Sequence, residues 1–334
     1  MDINKSNITQ AKDNPGTSNH KIVSKSFTEV DGFKEFFEYQ GKEIIQLSAG
    51  SLQAEFLSIQ VGNLFFVCNQ ANQGIQFFGE GSKEYIDFTI LWSENEKQYY
   101  SHRHPVEPQK TIFGFNNRGA DLIFPQGTAL TNIIMPVKTF DAYANQLQRH
   151  DLDDNFRIKN HVNLLPTGMK EIKDYLKQLI WLAVHRPNWL QQPHMEKLVT
   201  DDFIPLLISN IPTKWNSKCF LKPSRRAKLI AQAEQEMLAH CEKPLTLKQL
   251  AQNLGSSSSA LSYGFQDLFG MSPMRYLKVR RLNALRQRLK TSEPKNCTVF
   301  FLASEFGFYS TGHFAKDYKA MFGELPSDTL HKTA

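Results

Sequence analysis

The chain has 334 residues, 41% hydrophobic and 22% charged, a globular composition long enough for two domains. No apolar run approaches the ~20 residues that span a bilayer, and the polar opening MDINKSNITQAKDNPGTSNH lacks the apolar core of a signal peptide, which argues against membrane and exported classes. The net charge of +6 is unevenly placed: residues 222–334 hold 17 Lys+Arg against 9 Asp+Glu, and residues 1–221 carry a net −2. A basic half joined to a near-neutral one points to a polyanionic partner for the basic half alone.

In chain order, residues 1–40 read as a disordered lead-in. Residues 41–211 read as a β-rich domain ending in helices. QLSAGSLQAEFLSIQVGNLFFVCNQ, GIQFFGE, YIDFTILW, KTIFGFNN and DLIFPQG are short, aromatic or β-branched, and broken by Gly and Asn. Such closely spaced strands suggest a sandwich or barrel. From residue 139 the period becomes helical, in FDAYANQLQRH, MKEIKDYLKQLIWLAVHR and HMEKLVTDDFIPLLISNI. Residues 212–223, with prolines at both ends, read as an interdomain linker. Four cysteines, Cys68, Cys219, Cys241 and Cys297, show no CxxC spacing, which fits reduced thiols in a cytoplasm and no zinc site.

Residues 224–334 read as all-helical and contain one passage twice. Leu250-Ala251, Leu254-Gly255, Leu261, Phe265, Phe269-Gly270 and Pro273 recur as Leu302-Ala303, Phe306-Gly307, Phe314, Tyr318, Phe322-Gly323 and Pro326. Each copy reads as a short helix, a glycine turn and a second helix. Thr246, Ser257 or Ser258, Ser272, Thr298 and Ser310 stand at expected helix starts. Pro273 opens a joining helix running to about Lys290, and its 18 residues span about 27 Å. Apolar residues at i, i+4 and i+8 give each second helix an inner face, which leaves the outer face free for a DNA major groove. Arg280, Arg281, Arg286, Arg288 and Lys290 on the joining helix are candidate phosphate contacts.

LASEFGFYSTGHFAKDYKAMFGELPSDTL resembles the C-terminal signature of AraC/XylS-type transcription regulators, and the first copy with RLNALRQRL resembles their first helix-turn-helix and linker helix. FGELPSDTLH is most similar to the branch holding ethanolamine-utilisation regulators. The resemblance covers roughly residues 224–334. It implies an α+β chain, with an N-terminal cupin-like barrel followed by an all-α double helix-turn-helix domain. It implies binding to double-stranded DNA at promoters, usually activation with RNA polymerase as partner, a small-molecule effector in the N-terminal half, and a possible homodimer. Carried over by residue, the base-reading positions are Ser258, Ser259, Ser262, Tyr263 and Gln266 in the first unit and Thr311, Gly312, His313, Ala315 and Lys316 in the second. Arg280, Arg281 and Lys319 are the phosphate candidates. Relatives often carry arginine where this chain has a serine run. Serine cannot make the bidentate guanine contact, so the second unit is expected to discriminate more.

The N-terminal half offers one metal-like pattern, His102-x-His104-x-x-Glu107. It is interrupted by Pro105 and short of the cupin spacing, so a surface loop is the plainer reading, and no cofactor is expected. Phe65, Phe66, Phe77, Phe78, Phe88, Trp92, Phe113 and Phe115 either line a pocket or fill a core. Leu176, Ile180, Leu182 and Ala183 serve either domain packing or a dimer contact. The alternative function is a cupin-type metal enzyme with a helical appendage, although no nucleophile–base motif, P-loop or dinucleotide fingerprint is present.

Overall fold

The computed structural model describes residues 20–38, 41–92, 98–115, 119–213, 224–239 and 245–332. The elements run β1 (His20–Phe27), α1 (Val30–Glu38), β2 (Lys42–Gln46), β3 (Ala54–Val61), β4 (Leu64–Ala71), β5 (Ile75–Gly79), β6 (Tyr85–Leu91), β7 (Tyr99–Ser101), β8 (His104–Val106), β9 (Thr111–Gly114), β10 (Ala120–Phe124) and β11 (Thr128–Pro136). Then follow α2 (Val137–Gln146), α3 (Asp154–Lys159), β12 (His161–Asn163), α4 (Pro166–His185), α5 (Pro187–Leu190) and α6 (Pro193–Asn210). The C-terminal half holds α7 (Arg225–Ala239), α8 (Leu247–Asn253), α9 (Ser258–Phe269), α10 (Pro273–Lys290), α11 (Val299–Glu305), α12 (Thr311–Phe322) and α13 (Pro326–His331).

The strands form two sheets rather than one closed barrel. One has the order β1-β3-β4-β11-β6-β9-β12 and the other β2-β5-β10-β7-β8. A strict period of two sorts the side chains of the larger sheet. Leu64, Phe66 and Cys68 of β4, Ile86, Phe88 and Ile90 of β6, and Ile133 and Met135 of β11 pack with the apolar faces of α2, α4 and α6. The alternate residues Phe65, Val67, Asn69, Asp87, Thr89, Leu130, Asn132 and Ile134 face a cavity on the other side.

The smaller sheet is sorted the same way. Ile75, Phe77, Leu122 and Phe124 close the cavity from the opposite side. Their neighbours Gln76, Tyr100 and Ile123 turn outward and meet the C-terminal helices. The molecule is therefore layered as helices, large sheet, cavity, small sheet and C-terminal helices. The small sheet is a wall with the cavity on one face and the C-terminal domain on the other.

The expected lead-in to residue 40 is corrected over its second half. β1 pairs antiparallel with β3 along its whole length, and α1 buries Val30, Phe33 and Phe37 against the small sheet and the C-terminal core. Residues 1–19 lie outside the described residues, as does most of the expected linker, from 214 to 223. Leu176, Ile180 and Ala183 are buried inside the N-terminal domain, with Leu182 packed at its margin, so these side chains serve internal packing.

α10 joins everything. Tyr276, Leu277, Val279, Leu282, Leu285 and Leu289 are buried on it, and so are Asn283 and Arg286. Asn283 pairs with the backbone of Gln46 in β2 as a neighbouring strand would: it accepts from the Gln46 N–H at 3.2 Å and donates to the Gln46 carbonyl at 3.0 Å. Arg286, 3% exposed, donates to Asp31 of α1 from Nε at 2.8 Å and contacts Glu324 at 2.8 Å. It also reaches the Tyr318 hydroxyl at 3.4 Å and lies 4.7 Å over the Phe322 ring. Burial opposes its charge, but Asp31, Tyr318 and Glu324 outweigh that and raise its pKa.

Arg286→Ala leaves Asp31 and Glu324 with only Lys290 and Lys332 as counter-ions at a buried junction. The expected loss is about 3–5 kcal/mol, measured by urea unfolding. A loss below about 1 kcal/mol would show that the junction carries no weight.

Candidate nucleic-acid interface and an enclosed cavity

Each helix-turn-helix is set by local chemistry. The Thr246 hydroxyl accepts from the Gln249 N–H at 3.2 Å while the Gln249 side chain accepts from the Thr246 N–H at 2.9 Å, a reciprocal capping box that opens α8. Gly255 and Gly307 end α8 and α11 with φ of 57° and 78°, backbone that costs other residues about 1–2 kcal/mol. The Ser257 hydroxyl accepts from Ala260 N–H at 3.1 Å and starts α9. The Thr298 hydroxyl does the same for Phe301 at 3.2 Å and starts α11. Ser310 precedes α12 without a side-chain cap.

The inner faces are as spaced in the sequence: Leu261, Phe265 and Phe269 on α9, and Phe314, Tyr318 and Phe322 on α12, are buried. Among the outward candidates on α9, Ser259, Tyr263 and Gln266 are exposed and Ser258 and Ser262 half-buried. On α12, Gly312, His313, Lys316 and Lys319 are exposed and Ala315 half-buried. The side chain of Thr311 lies outside the described residues. The structure thus presents two short helix faces, one hydroxyl-rich and one basic, on either side of α10.

Sequence reasoning missed Arg226 of α7. Its guanidinium lies 4.4 Å over the Tyr263 ring and 3.5 Å from Asp267, on the same side as the α9 reading face. The Arg225-Arg226 doublet just after the linker was the available signal. Reasoning also missed the exposed aromatics Phe300, Phe301 and Tyr309 beside the second unit.

The arginines of α10 divide. Arg280 is a correction: its side chain is 10% exposed, 3.7 Å from Glu43 of β2 and 6.0 Å over Phe78, so it faces the N-terminal domain rather than phosphate. Arg286 is likewise buried. Arg281 lies half-buried against the Gly307 turn. Arg288 is more open, 3.6 Å from Glu305, whereas Lys290 sits 3.4 Å from Asp31.

The metal-like pattern does not converge. His102 and Arg103 form a turn with φ of 49° and 65°. His102 lines the cavity and its Nδ1 accepts from the Asn160 amide at 2.5 Å. His104 stacks on His161, and Glu107 pairs with Lys110 at 2.8 Å. Among the described residues no three His, Cys, Asp or Glu groups could hold a metal ion.

The cavity between the sheets has a volume of about 330 Å³, within the ~300–1,000 Å³ of small-molecule sites. Phe33 and Phe37 of α1, Phe56, Phe65, Phe77 and Phe124 wall it. Of the aromatic set read from sequence, only Phe65 and Phe77 line it. Phe66, Phe88 and Phe115 are core, with Trp92 packed at its edge, Phe113 belongs to a second small core, and Phe78 packs towards the C-terminal domain. Polar groups enter at Lys42, Asn69, Asp87, Thr89, His102 and Asn132. Burial pushes the Asp87 carboxyl up to about 7, against the pull of Lys42.

These features define a DNA-binding protein with two helix-turn-helix units and a β-rich N-terminal half. Residues 250–332 match a helix-turn-helix domain family. The chain is 30% identical over 306 residues to the XylDLEGF operon transcriptional activator 1 of Pseudomonas putida, covering 88% of this chain and 87% of that protein. It is 41% identical over 92 residues to a probable thc operon regulatory protein of Rhodococcus erythropolis, a match spanning 28% of each. The crystal structure of the AraC-like transcriptional activator CuxR is similar over 85% of this chain and all of that one, at 12% identity and a TM-score of 0.44. The chain belongs to the AraC/XylS-type transcription regulators. It is a sequence-specific DNA-binding regulator, and no helix among its described residues is long and apolar enough to cross a membrane.

Two outcomes follow. Lys316→Ala should reduce preference for a cognate over a scrambled duplex more than Ser259→Ala does, by about 1 kcal/mol or more in competition binding; the reverse order would assign discrimination to the first unit. For Asp87, a folded pKa near 7 against 3.8 in the ordinary state means stability is lost as pH rises from about 4 to 7. Asp87→Asn should remove that loss, gaining about 1–3 kcal/mol over wild type at pH 8 and little at pH 4 in urea melts.

Proposed function

We propose that this chain is a promoter activator whose effector occupies the cavity between the two sheets, and that the small sheet carries the signal. What supports the reading is that one sheet faces the cavity and the DNA-binding domain at once. Phe77 and Leu122, paired across β5 and β10, look into the cavity. Gln76, the next residue, donates from its amide to Glu234 of α7 at 3.0 Å, and its side-chain carbonyl lies 2.8 Å from the Tyr276 hydroxyl of α10.

The second contact is shorter still in sequence. His102 lines the cavity and its neighbour Arg103 forms an ion pair with Glu234. Arg103 also donates from Nε to Asp121 of β10 at 3.0 Å. Burial opposes its charge, but Glu234 and Asp121 together hold the guanidinium above its ordinary pKa. An effector that moves His102 moves Arg103 by way of one peptide bond, and with it the anchor of α7. The N-terminal domain touches the second unit too: Gly50 N–H donates to the Ala320 carbonyl at 2.9 Å and the Gln46 amide to the Met321 carbonyl at 2.9 Å. It is thus in position to set the relative pose of α9 and α12, which fixes whether both enter successive major-groove segments about 34 Å apart.

On this reading RNA polymerase and promoter DNA are the partners, the protein works in the cytoplasm, and a homodimer is a further possibility for the N-terminal half. The cupin-like description of that half and the nearness to ethanolamine-utilisation regulators, which rests on FGELPSDTLH, belong to the same proposal.

The test is DNA affinity with and without cell metabolites, in wild type and Arg103→Gln. Wild type should shift its affinity by about tenfold and the variant by less than twofold, with folding checked by thermal melts. An undiminished shift in the variant would rule out this route.

A further inference from the structure

The inference deepens the effector reading, and rests on it, by asking what the cavity would accept. Six phenylalanine rings stand in its apolar wall among aliphatic residues, and its volume of about 330 Å³ admits a compact ligand. Three of its polar groups are aligned on the large sheet. Asn132 of β11 stands opposite Val67 on β4 and opposite Thr89 on β6. Asn69 lies one step of two residues along β4, and Asp87 one such step along β6 in the other direction. All three line the cavity, and Asn69 and Asp87 each lie diagonally from Asn132, roughly 7–8 Å away on either side. They form an oblique stripe across the floor of the large sheet.

Each member of the stripe has an acceptor left over. Asn69 Oδ1, Asp87 Oδ1 and Asn132 Oδ1 are buried and have no hydrogen-bond partner among the described residues. Buried acceptors without donors are rare, and each one costs stability that a bound donor would return. An anionic head group, which can only accept, would leave that row of acceptors unmet. Among the described residues the cation that lines the cavity is Lys42, which already donates to the Glu80 carbonyl at 3.0 Å, and burial lowers its pKa. Lys42 in turn disfavours a cationic ligand at the same end. A neutral donor satisfies both constraints.

We propose that the cavity binds a neutral aromatic of one or two rings whose head group donates hydrogen bonds, a phenol or an arylamine, and that Asn69, Asn132 and Asp87 select that head over a carboxylate. Rings meet the phenylalanine wall, and the O–H or N–H meets the stripe. A site built to receive a donor rejects the analogue that lacks it, because its own buried acceptors are then left unpaired.

Four probes on one skeleton test this: 2-naphthol, 2-naphthylamine, 2-naphthoate and 2-methylnaphthalene. Binding to the full chain is read by calorimetry and by displacement of naphthol fluorescence. Naphthol and naphthylamine should bind at least about tenfold tighter than naphthoate and methylnaphthalene. Asn132→Val, with its fold checked by circular dichroism, should level that preference while keeping methylnaphthalene binding. Naphthoate binding as tightly as naphthol in wild type would overturn the selection by acceptors and leave the cavity as effector site. A variant with Val67→Trp that blocks the cavity yet keeps a full metabolite response would overturn the effector reading itself. Absence of binding by all four probes would overturn the aromatic-donor class, whatever the folding of any variant.

Discussion

The guanidinium of Arg286 is the point at which this structure is tied together. It is 3% exposed and shares carboxylates from the start of the chain, Asp31, and from its end, Glu324. Both are more than 35 residues away in sequence, and Asp31 is 255 away. A charge buried that deeply is tolerable only with full pairing. The arrangement therefore forces α1, α10, α12 and the turn before α13 to a common place. The second helix-turn-helix cannot be positioned independently of the N-terminal domain, because its frame and the N-terminal helix share one counter-ion.

A second buried charge plays the matching part for the first unit. Glu234 of α7 receives Arg103, Gln76 and Tyr276. Burial, and after it Glu234, raises the Tyr276 hydroxyl well above its ordinary pKa, so it stays protonated and donates. Here the N-terminal contributors are a sheet residue and a turn residue, both next to cavity-lining side chains. The two junctions differ in kind. That at Arg286 has no cavity-lining partner except through α1, whose Phe33 and Phe37 also wall the cavity. That at Glu234 has two direct neighbours. A change in the cavity would reach the first reading helix more directly than the second.

What the sequence made legible was whatever local pattern decides. The doubled helix-turn-helix was visible because its buried residues recur at i, i+4 and i+8 and its caps are single residues. Thr246, Ser257, Ser272 and Thr298 all cap through their side chains. The strands were visible because alternation survives when one face is apolar. What stayed hidden was pairing over long sequence separation. Arg280 and Arg286 look like solvated or phosphate-bound groups on a basic helix, since nothing nearby in sequence signals Glu43 or Asp31. α10 is buried nearly all round, so it shows no clean polar face from which to sort its arginines. The strand and helix at 20–38 were hidden for a related reason. VDGFKEFFE is short and charged, and its aromatics make sense only once the small sheet and α10 are there to receive them.

The cavity was half legible, and the missing half is instructive. Eight aromatics were in view, but the choice between core and pocket depends on which face of the large sheet each residue takes. Phe65 and Phe66 are adjacent, and a single step in the pleat sends one into the cavity and the other under α6, where it meets Phe203. The polar residues gave the better clue. Asn69, Asp87, Thr89 and Asn132 occupy the same parity as Phe65, Val67 and Ile134 in otherwise apolar strands. A core would reject acceptors at those positions. Their presence on one face, in one stripe, is what sets this wall apart from one that only packs, and it is the feature on which the proposed effector site rests.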